Sequence, residues 1–453
     1  MRDIIVFLIV MASLPLAFRR PFVGMLVFSW LAYMRPQDLC WGFARDMRFS
    51  FYAAIAMFVG FWAHEQGRRG FMKLDARTGL MLALLLLTTL SLGFAEKVDT
   101  YVFAYFVEFA KIFLIALFTT GQVDTKERLR LLLWTVCISL GFYGVKGGVF
   151  GFLTGGSAIL RGPGGMLEDN NDFALGMVLN LPLLWYLSHQ EKAAWIRKAA
   201  TIATFLTMIT ILLTHSRGGF LAGCGVLLTI AFRSGKFFRA FFTLSTITVG
   251  FFALAPQSVV ERIASIKEGG KERSANARLV SWTIASRMIT ANPVLGVGLR
   301  NFQVHWDRHA GDIPGAKGGF AYVAHNSYLQ IWAEAGTPAF LIYIALLLSA
   351  FAACRTVRGI VAKRADLEWA RLYANLFEAV TVGFMIGAFF LNRGHFDLIY
   401  HLLAMLSCLV WIAVAESSRN PSVAGAKGGR LLTVRWGRPG GVGSAAPRLG
   451  SFR

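Results

Sequence analysis

The feature that most constrains this chain is an apolar run that recurs from end to end. Runs fall at 3–18, 22–38, 49–63, 79–95, 101–121, 129–152, 172–188, 198–214, 218–232, 237–255, 326–353, 373–391 and 396–415. A helix of about 20 residues crosses the ~30 Å hydrocarbon layer of a bilayer, and it satisfies its own backbone hydrogen bonds there. The pattern predicts an all-α polytopic membrane protein of about 12 to 13 transmembrane helices. Composition agrees: 56% of the 453 residues are hydrophobic and 16% are charged, against about 25% charged in soluble domains.

Two stretches depart from the pattern. Residues 256–324 form a long, mostly polar loop in which short helices are expected. The chain after Ser417 is rich in Gly and Arg and has too few large apolar side chains to bury a core. The expected organisation is therefore a transmembrane helical domain over 1–415, including the 256–324 loop, and a flexible basic cytoplasmic tail over 416–453. The run from Ile4 to Phe18 is followed by no small-x-small cleavage pattern and reads as a retained helix. Cys40, Cys137, Cys224, Cys354 and Cys408 are widely spaced, with no CxxC or metal-ligand pattern, and read as packing residues.

The net charge of +21 is spread over many short connections instead of forming one patch, so nucleic acid is not expected as a partner. The charge reads as topology. Cytoplasmic loops retain Lys and Arg, and one alternate set of connections holds most of them: Arg19 and Arg20, Arg68, Arg69, Lys73 and Arg77, and the basic residues near 122–130, 189–199, 233–239 and 354–371. The other set, with the 256–324 loop, is then on the outer, non-cytoplasmic side. It carries Arg161, Arg217, His325, Arg393 and His395. The expected location is the bacterial inner membrane, with function on its outer face.

Several segments on that face bear chemistry. Residues 155–172 read GGSAILRGPGGMLEDNND: glycine and proline allow tight turns, and Arg161 offers a planar fork of donors suited to phosphate. Glu168, Asp169 and Asp172 could hold a divalent ion through oxygen, but acidic residues at a helix start commonly cap it. In THSRGG, residues 214–219, Arg217 sits at the mouth of two helices and must face the bundle, a headgroup or the interface. In AHNSYLQIWAEAGTPA, residues 324–339, His325 and Asn326 open a helix that runs into the membrane. The helix dipole there disfavours imidazolium, and a neutral imidazole is what a general base requires; an unreactive residue beside a cap is the alternative.

Glu334 lies nine residues farther, about 180° around the helix, and is expected to brace a neighbouring helix or a basic residue. Gly336 and Pro338 predict a kink. From Asn276 to Met288 the spacing predicts an amphipathic helix over the outer membrane surface, with Leu279, Trp282, Thr283 and Ser286 on one side and Arg278 and Arg287 available. The GVG that follows carries little nucleotide-binding weight without a strand-turn-helix unit. Glu108 and Lys111 can neutralise each other. Lys146 and Glu378 are expected to face the interior.

Taken in order, an Arg in a Gly-rich outer loop, SRGG at the start of a helix, a long loop with NPVLGVG, and HNSYLQIWAEAG resemble the bacterial O-antigen ligase and polymerase superfamily. The N-terminal stretch RRPFVGMLVFSWLAYMRPQDLCWGFA is similar to the O-glycosylation ligase subgroup associated with the exosortase A system. The resemblance covers about residues 1 to 415. It implies a periplasm-facing glycosyltransferase moving a glycan from an undecaprenyl-diphosphate carrier to a hydroxyl on a protein or lipid acceptor, without nucleotide sugar, metal or cofactor. By the same resemblance His325, followed by Asn326, is the catalytic histidine; Arg161 and Arg217, with Arg278 less firmly matched, engage the diphosphate; and Glu334 is the acidic position of ExG. A polymerase of the same superfamily and a lipid-linked glycan transporter are the alternatives.

Overall fold

A computed structural model describes residues 1–235 and 270–419 apart from Gly315 and Gly319, with the backbone alone at 270–275. In chain order the α-helices of these residues are α1 (Arg2–Arg19), α2 (Pro21–Tyr33), α3 (Phe49–His64), α4 (Ala76–Gly93), α5 (Thr100–Gln122), α6 (Lys126–Leu153), α7 (Asn170–His189), α8 (Ala194–Leu213), α9 (Arg217–Arg233), α10 (Gly270–Ala291), α11 (Trp306–Ala310), α12 (Ser327–Val361), α13 (Glu368–Ala388) and α14 (Asp397–Arg419). No β-strand occurs among the described residues. The expected helix at 237–255, the start of the 256–324 loop and the tail beyond Arg419 lie outside them.

Among the described residues six helices, α4, α5, α6, α8, α12 and α14, are long and apolar enough to cross a membrane, and the chain is an all-α, multi-pass membrane protein. α7 is buried along nearly its whole length and sits among α6, α8, α9 and α13. The apolar run at 22–38 does not stay helical. α2 ends at Tyr33, because Arg35 adopts a left-handed φ of +47° before Pro36, a residue that disfavours a helical conformation in its predecessor.

Small residues set the closest helix approach. A Cβ at Gly148 of α6 would lie 2.7 Å from the Leu206 Cβ of α8, and Thr210 Oγ1 donates to the Gly144 carbonyl at 2.6 Å, a small-residue interface typical of membrane helices. This face also corrects an expectation. Lys146, two residues from both Gly144 and Gly148 and so about 200° around the helix, is exposed and not interior-facing. Glu378 is buried as expected, held by Arg233 (2.6 Å) and Arg358 (2.7 Å), and the exposed Glu108–Lys111 pair closes at 2.7 Å.

The helix connections gather on two faces. On one, the 154–169 loop meets the α8–α9 turn, and the 94–99 turn meets the 292–326 loop through Asn301 and Lys97. On the other, Arg69 pairs with Asp124, and Gln190 donates to the Trp369 carbonyl. The division matches the alternate sets read from charge.

The predicted kink in α12 is a break. Gly336 has φ +82° and ψ 175°, and Pro338 has no N–H to offer the Glu334 carbonyl. Backbone groups left unpaired at membrane depth cost several kcal/mol each, and the 293–298 loop takes them up. Thr337 N–H donates to Pro293 O (2.8 Å), Val297 N–H to Ala333 O (2.8 Å), and Gly298 N–H to Glu334 O (3.1 Å). Ser91 of α4 adds a bond to Glu334 O at 2.6 Å. The GVG passage is thus a backbone partner for a broken helix.

α10 forms as predicted but packs differently. Leu279, Thr283 and Ser286 are exposed, whereas Ser281, Ile284, Ala285 and Met288 are buried. The buried apolar residues join Val297, Phe302, Trp306 and Ala333 in a small core of their own. The described part of the long loop therefore packs as a cap on α12.

Replacing Gly336 by Ala should cost on the order of 1–3 kcal/mol, since its Cβ would collide with the Val294 carbonyl. Gly67→Ala, at an equally left-handed φ of +89° but with open space around it, should cost less. Thermal unfolding of both variants in nanodiscs checks this; equal shifts would contradict the packing account.

Candidate functional site

The site is built from helix starts. Asn326 caps α12, its side chain accepting from Tyr328 N–H (2.9 Å) and Leu329 N–H (3.1 Å). With its side chain committed there, Asn326 is a structural support. His325 stands before it with φ +49°, a conformation that is uncommon outside glycine and is held only where the surroundings over-determine it. Ser216 caps α9 through Gly219 N–H at 3.1 Å, which puts Arg217 on the first turn. Asp169 caps α7 through Asn171 N–H at 2.8 Å, so the capping alternative holds for Asp169. Asp172 instead pairs with Arg393.

Four of the expected site residues come together. Arg161 and Asp169 form an antiparallel bridge that closes the Gly-rich loop on itself. Asn170 Nδ2 donates to the Thr214 carbonyl at 2.8 Å, three residues before Arg217, and Ile159 N–H donates to Leu213 O at 2.8 Å. Arg217 lies close enough to Arg278 to repel it. Arg278 in turn acts on His325, which also senses Asp169. The links make a closed ring through Arg161, Asp169, His325, Arg278, Arg217 and the start of α7.

The electrostatics of the ring favour a neutral imidazole. Burial, and secondarily the Arg278 charge, hold His325 below the usual imidazole value, with Asp169 opposing. Burial is thus the main cause, and it supports the neutral state that the helix-dipole argument reached. Burial and the Arg217 charge also lower Arg278, which stays cationic because guanidinium does not deprotonate in proteins. Arg161 and Arg217 are exposed, Arg217 and Arg278 lie in each other's field, and the Arg161 loop is tied to the turn before Arg217 through Ile159 and Asn170. Such a centre can bind a dianion and stabilise charge that develops on it.

Glu334 lies apart from the ring. It is buried, faces Arg300 and Gln330, and its Oε2 has no hydrogen-bond partner among the described residues. The Arg300 guanidinium stacks on Tyr105, 4.4 Å from the ring centre, and Tyr105 OH shares a 2.7 Å hydrogen bond with His395 Nδ1. Burial drives His395 down to about 3, which makes it a neutral packing histidine.

Sequence reasoning missed Arg300, and it placed Arg393 on the same face as Arg161, Arg217 and His325 without assigning it a role. Arg393, one-third exposed, interacts with both Asp172 and Asp169 at the rim of the ring. Its signal was present: a cation in a connection of only a few residues between two buried helices.

The ring sets the direction of two shifts. Removing the Arg278 charge (Arg278→Gln) should raise the His325 pKa towards 6.5, and Asp169→Asn should lower it further. Peptide-resolved reaction with diethyl pyrocarbonate, which modifies neutral imidazole, reads this as an acid limb below 6.5 in the parent protein that moves up in the first variant and down in the second. Unchanged titration in both variants would break the ring.

Residues 202–344 match the O-antigen ligase family, and residues 1–192 match a family of unknown function, DUF5935. The first match holds Arg217, Arg278, His325 and Glu334, and the second holds Arg35 and Arg161. No curated protein matches the chain. Residues 202–344 are therefore similar to the O-antigen ligase family, and the match supports the O-antigen ligase superfamily for this chain.

Proposed function

We propose that this chain is a glycosyltransferase of the bacterial inner membrane that takes a glycan from an undecaprenyl-diphosphate carrier and joins it to an acceptor hydroxyl at the periplasmic face. The observation that carries the reading is the ring itself: guanidinium groups from distant parts of the chain share one site with a half-buried, neutral imidazole. The charge asymmetry of the connections supports the periplasmic orientation.

In this mechanism the prenyl tail stays in lipid while the diphosphate enters between Arg161, Arg217 and Arg278. His325 accepts the proton of the acceptor hydroxyl. The acceptor oxygen forms a bond to the anomeric carbon as the bond from that carbon to the phosphate oxygen breaks. The electron pair leaves with the diphosphate, where the guanidinium groups stabilise it. A single displacement of this kind inverts the anomeric configuration. Glu334 and Asn326 act as supports, one against Arg300 and the other as the cap that fixes His325. The acceptor is a protein or lipid hydroxyl, as the resemblance to exosortase-associated ligases implies.

The test is glycan analysis of envelope material from cells lacking the chain and complemented with variants. His325→Ala should lower transfer by roughly 10²- to 10⁴-fold, and Arg217→Ala by roughly 10²- to 10³-fold. Retained transfer in both would overturn the reading. A ladder of products on the carrier, in place of glycan on a separate acceptor, would make the chain a polymerase of the same superfamily.

A further inference from the structure

The loop that presents Arg161 is shaped from within and from one side. Within, Gly162 N–H donates to Glu168 O at 2.8 Å, the Arg161–Asp169 bridge closes its mouth, and Leu167 is buried in the main core. At the side lies the segment after α2. Arg35, left-handed at φ +47°, places its guanidinium against Gly165: a Cβ there would lie 2.6 Å from Arg35 Cζ and collide with its Nη1. Arg35 Nε donates to Asp38 Oδ2 at 2.5 Å, and a Cβ on Gly164 would lie 3.1 Å from that same carboxylate oxygen. Gly164 and Gly165 have φ of +117° and +58°. Their backbone conformation and their missing side chains both fit the Arg35–Asp38 pair.

That segment is itself anchored. Tyr143 OH donates to Met34 O at 2.5 Å, and Tyr33 OH shares a 2.9 Å bond with His401 Nδ1 of α14. Arg35 also lies in the field of Asp397, which Arg393 shares. A partly exposed ion pair contributes only ~0–1 kcal/mol to stability, so the placement of this pair points to a role other than holding the fold together.

We propose that Arg35 is a positioning residue: paired with Asp38, its guanidinium forms the wall against which the Gly164–Gly165 turn is set, and so fixes where Arg161 meets the diphosphate. This rests on the glycosyltransferase reading for the identity of the ligand, but not for the fit of the loop. It gives the N-terminal DUF5935 region a task, which is to build one wall of a site whose imidazole comes from the region similar to the O-antigen ligase family. Arg35 acts through Arg161 and needs no contact with the substrate.

Two readouts on the full chain in nanodiscs test it. Hydrogen exchange over residues 155–169 should rise by about tenfold in Arg35→Ala and less in Arg35→Lys, with residues 327–335 unchanged. The dissociation constant for undecaprenyl diphosphate should rise by about tenfold in Arg35→Ala, since small misplacements of a positioned group carry large losses, and should partly recover in Arg35→Lys. Asp38→Asn, which keeps the side-chain size, repeats the test should Arg35→Ala fail to fold. Unchanged exchange at 155–169 in a folded variant would overturn the proposal, and so would a loosened loop that binds undecaprenyl diphosphate as tightly as before. If His325→Ala retained transfer while the loop responded as expected, the proposed reaction would fail and the brace would stand.

Discussion

The site depends on one exchange of backbone hydrogen bonds. α12 must break, because Pro338 cannot donate and Gly336 leaves helical geometry, and the groups set free cannot stay unpaired at membrane depth. The 293–298 loop supplies the partners. That loop directly follows α10, which carries Arg278, while the upper half of α12 begins next to His325. The bonds that repair the helix therefore fix the two residues relative to each other. Gly296 and Gly336 make the approach possible, each lying where a Cβ would overlap the backbone of the other segment.

Around this joint the remaining parts are brought in by helix starts. The caps at Ser216, Asp169 and Asn326 set the directions of α9, α7 and α12, and each places a charged or titratable residue within a residue or two of the cap. A helix start suits this purpose because its unpaired N–H groups and dipole favour anions. Gathering several at one face concentrates positive potential where a diphosphate would lie. Asp169 moderates it, its charge acting on His325 and Arg393.

Much of this was legible in the sequence, and what was not has identifiable causes. The apolar runs gave the all-α membrane class, and the Gly336–Pro338 pair announced the break. Arg161, Arg217, Arg278 and His325 were singled out from local chemistry and resemblance, and the structure brings them together. The length of α2 was misread because hydropathy continues through Met34 and Pro36, although the Arg-Pro step ends the helix. The buried side of α10 was not legible because its partner core comes from residues 297–333, which a periodicity argument confined to one helix cannot see. Lys146 was misplaced for a similar reason, since the glycine stripe beside it determines which side faces α8. Arg35 was invisible as a site residue because its importance lies in contacts with Gly164 and Gly165, about 130 positions away.

The central claim is that Arg161, Arg217 and Arg278 surround a lipid diphosphate beside an uncharged His325. The most direct measurement is a cryo-EM structure of the chain in nanodiscs loaded with undecaprenyl diphosphate. The account predicts phosphate density within ~3 Å of guanidinium groups of the ring, with the prenyl chain leading into lipid and the His325 imidazole facing the phosphate that would bear the sugar. Phosphate density on the opposite, Lys/Arg-rich face, or a ring left empty at saturating lipid, would contradict it.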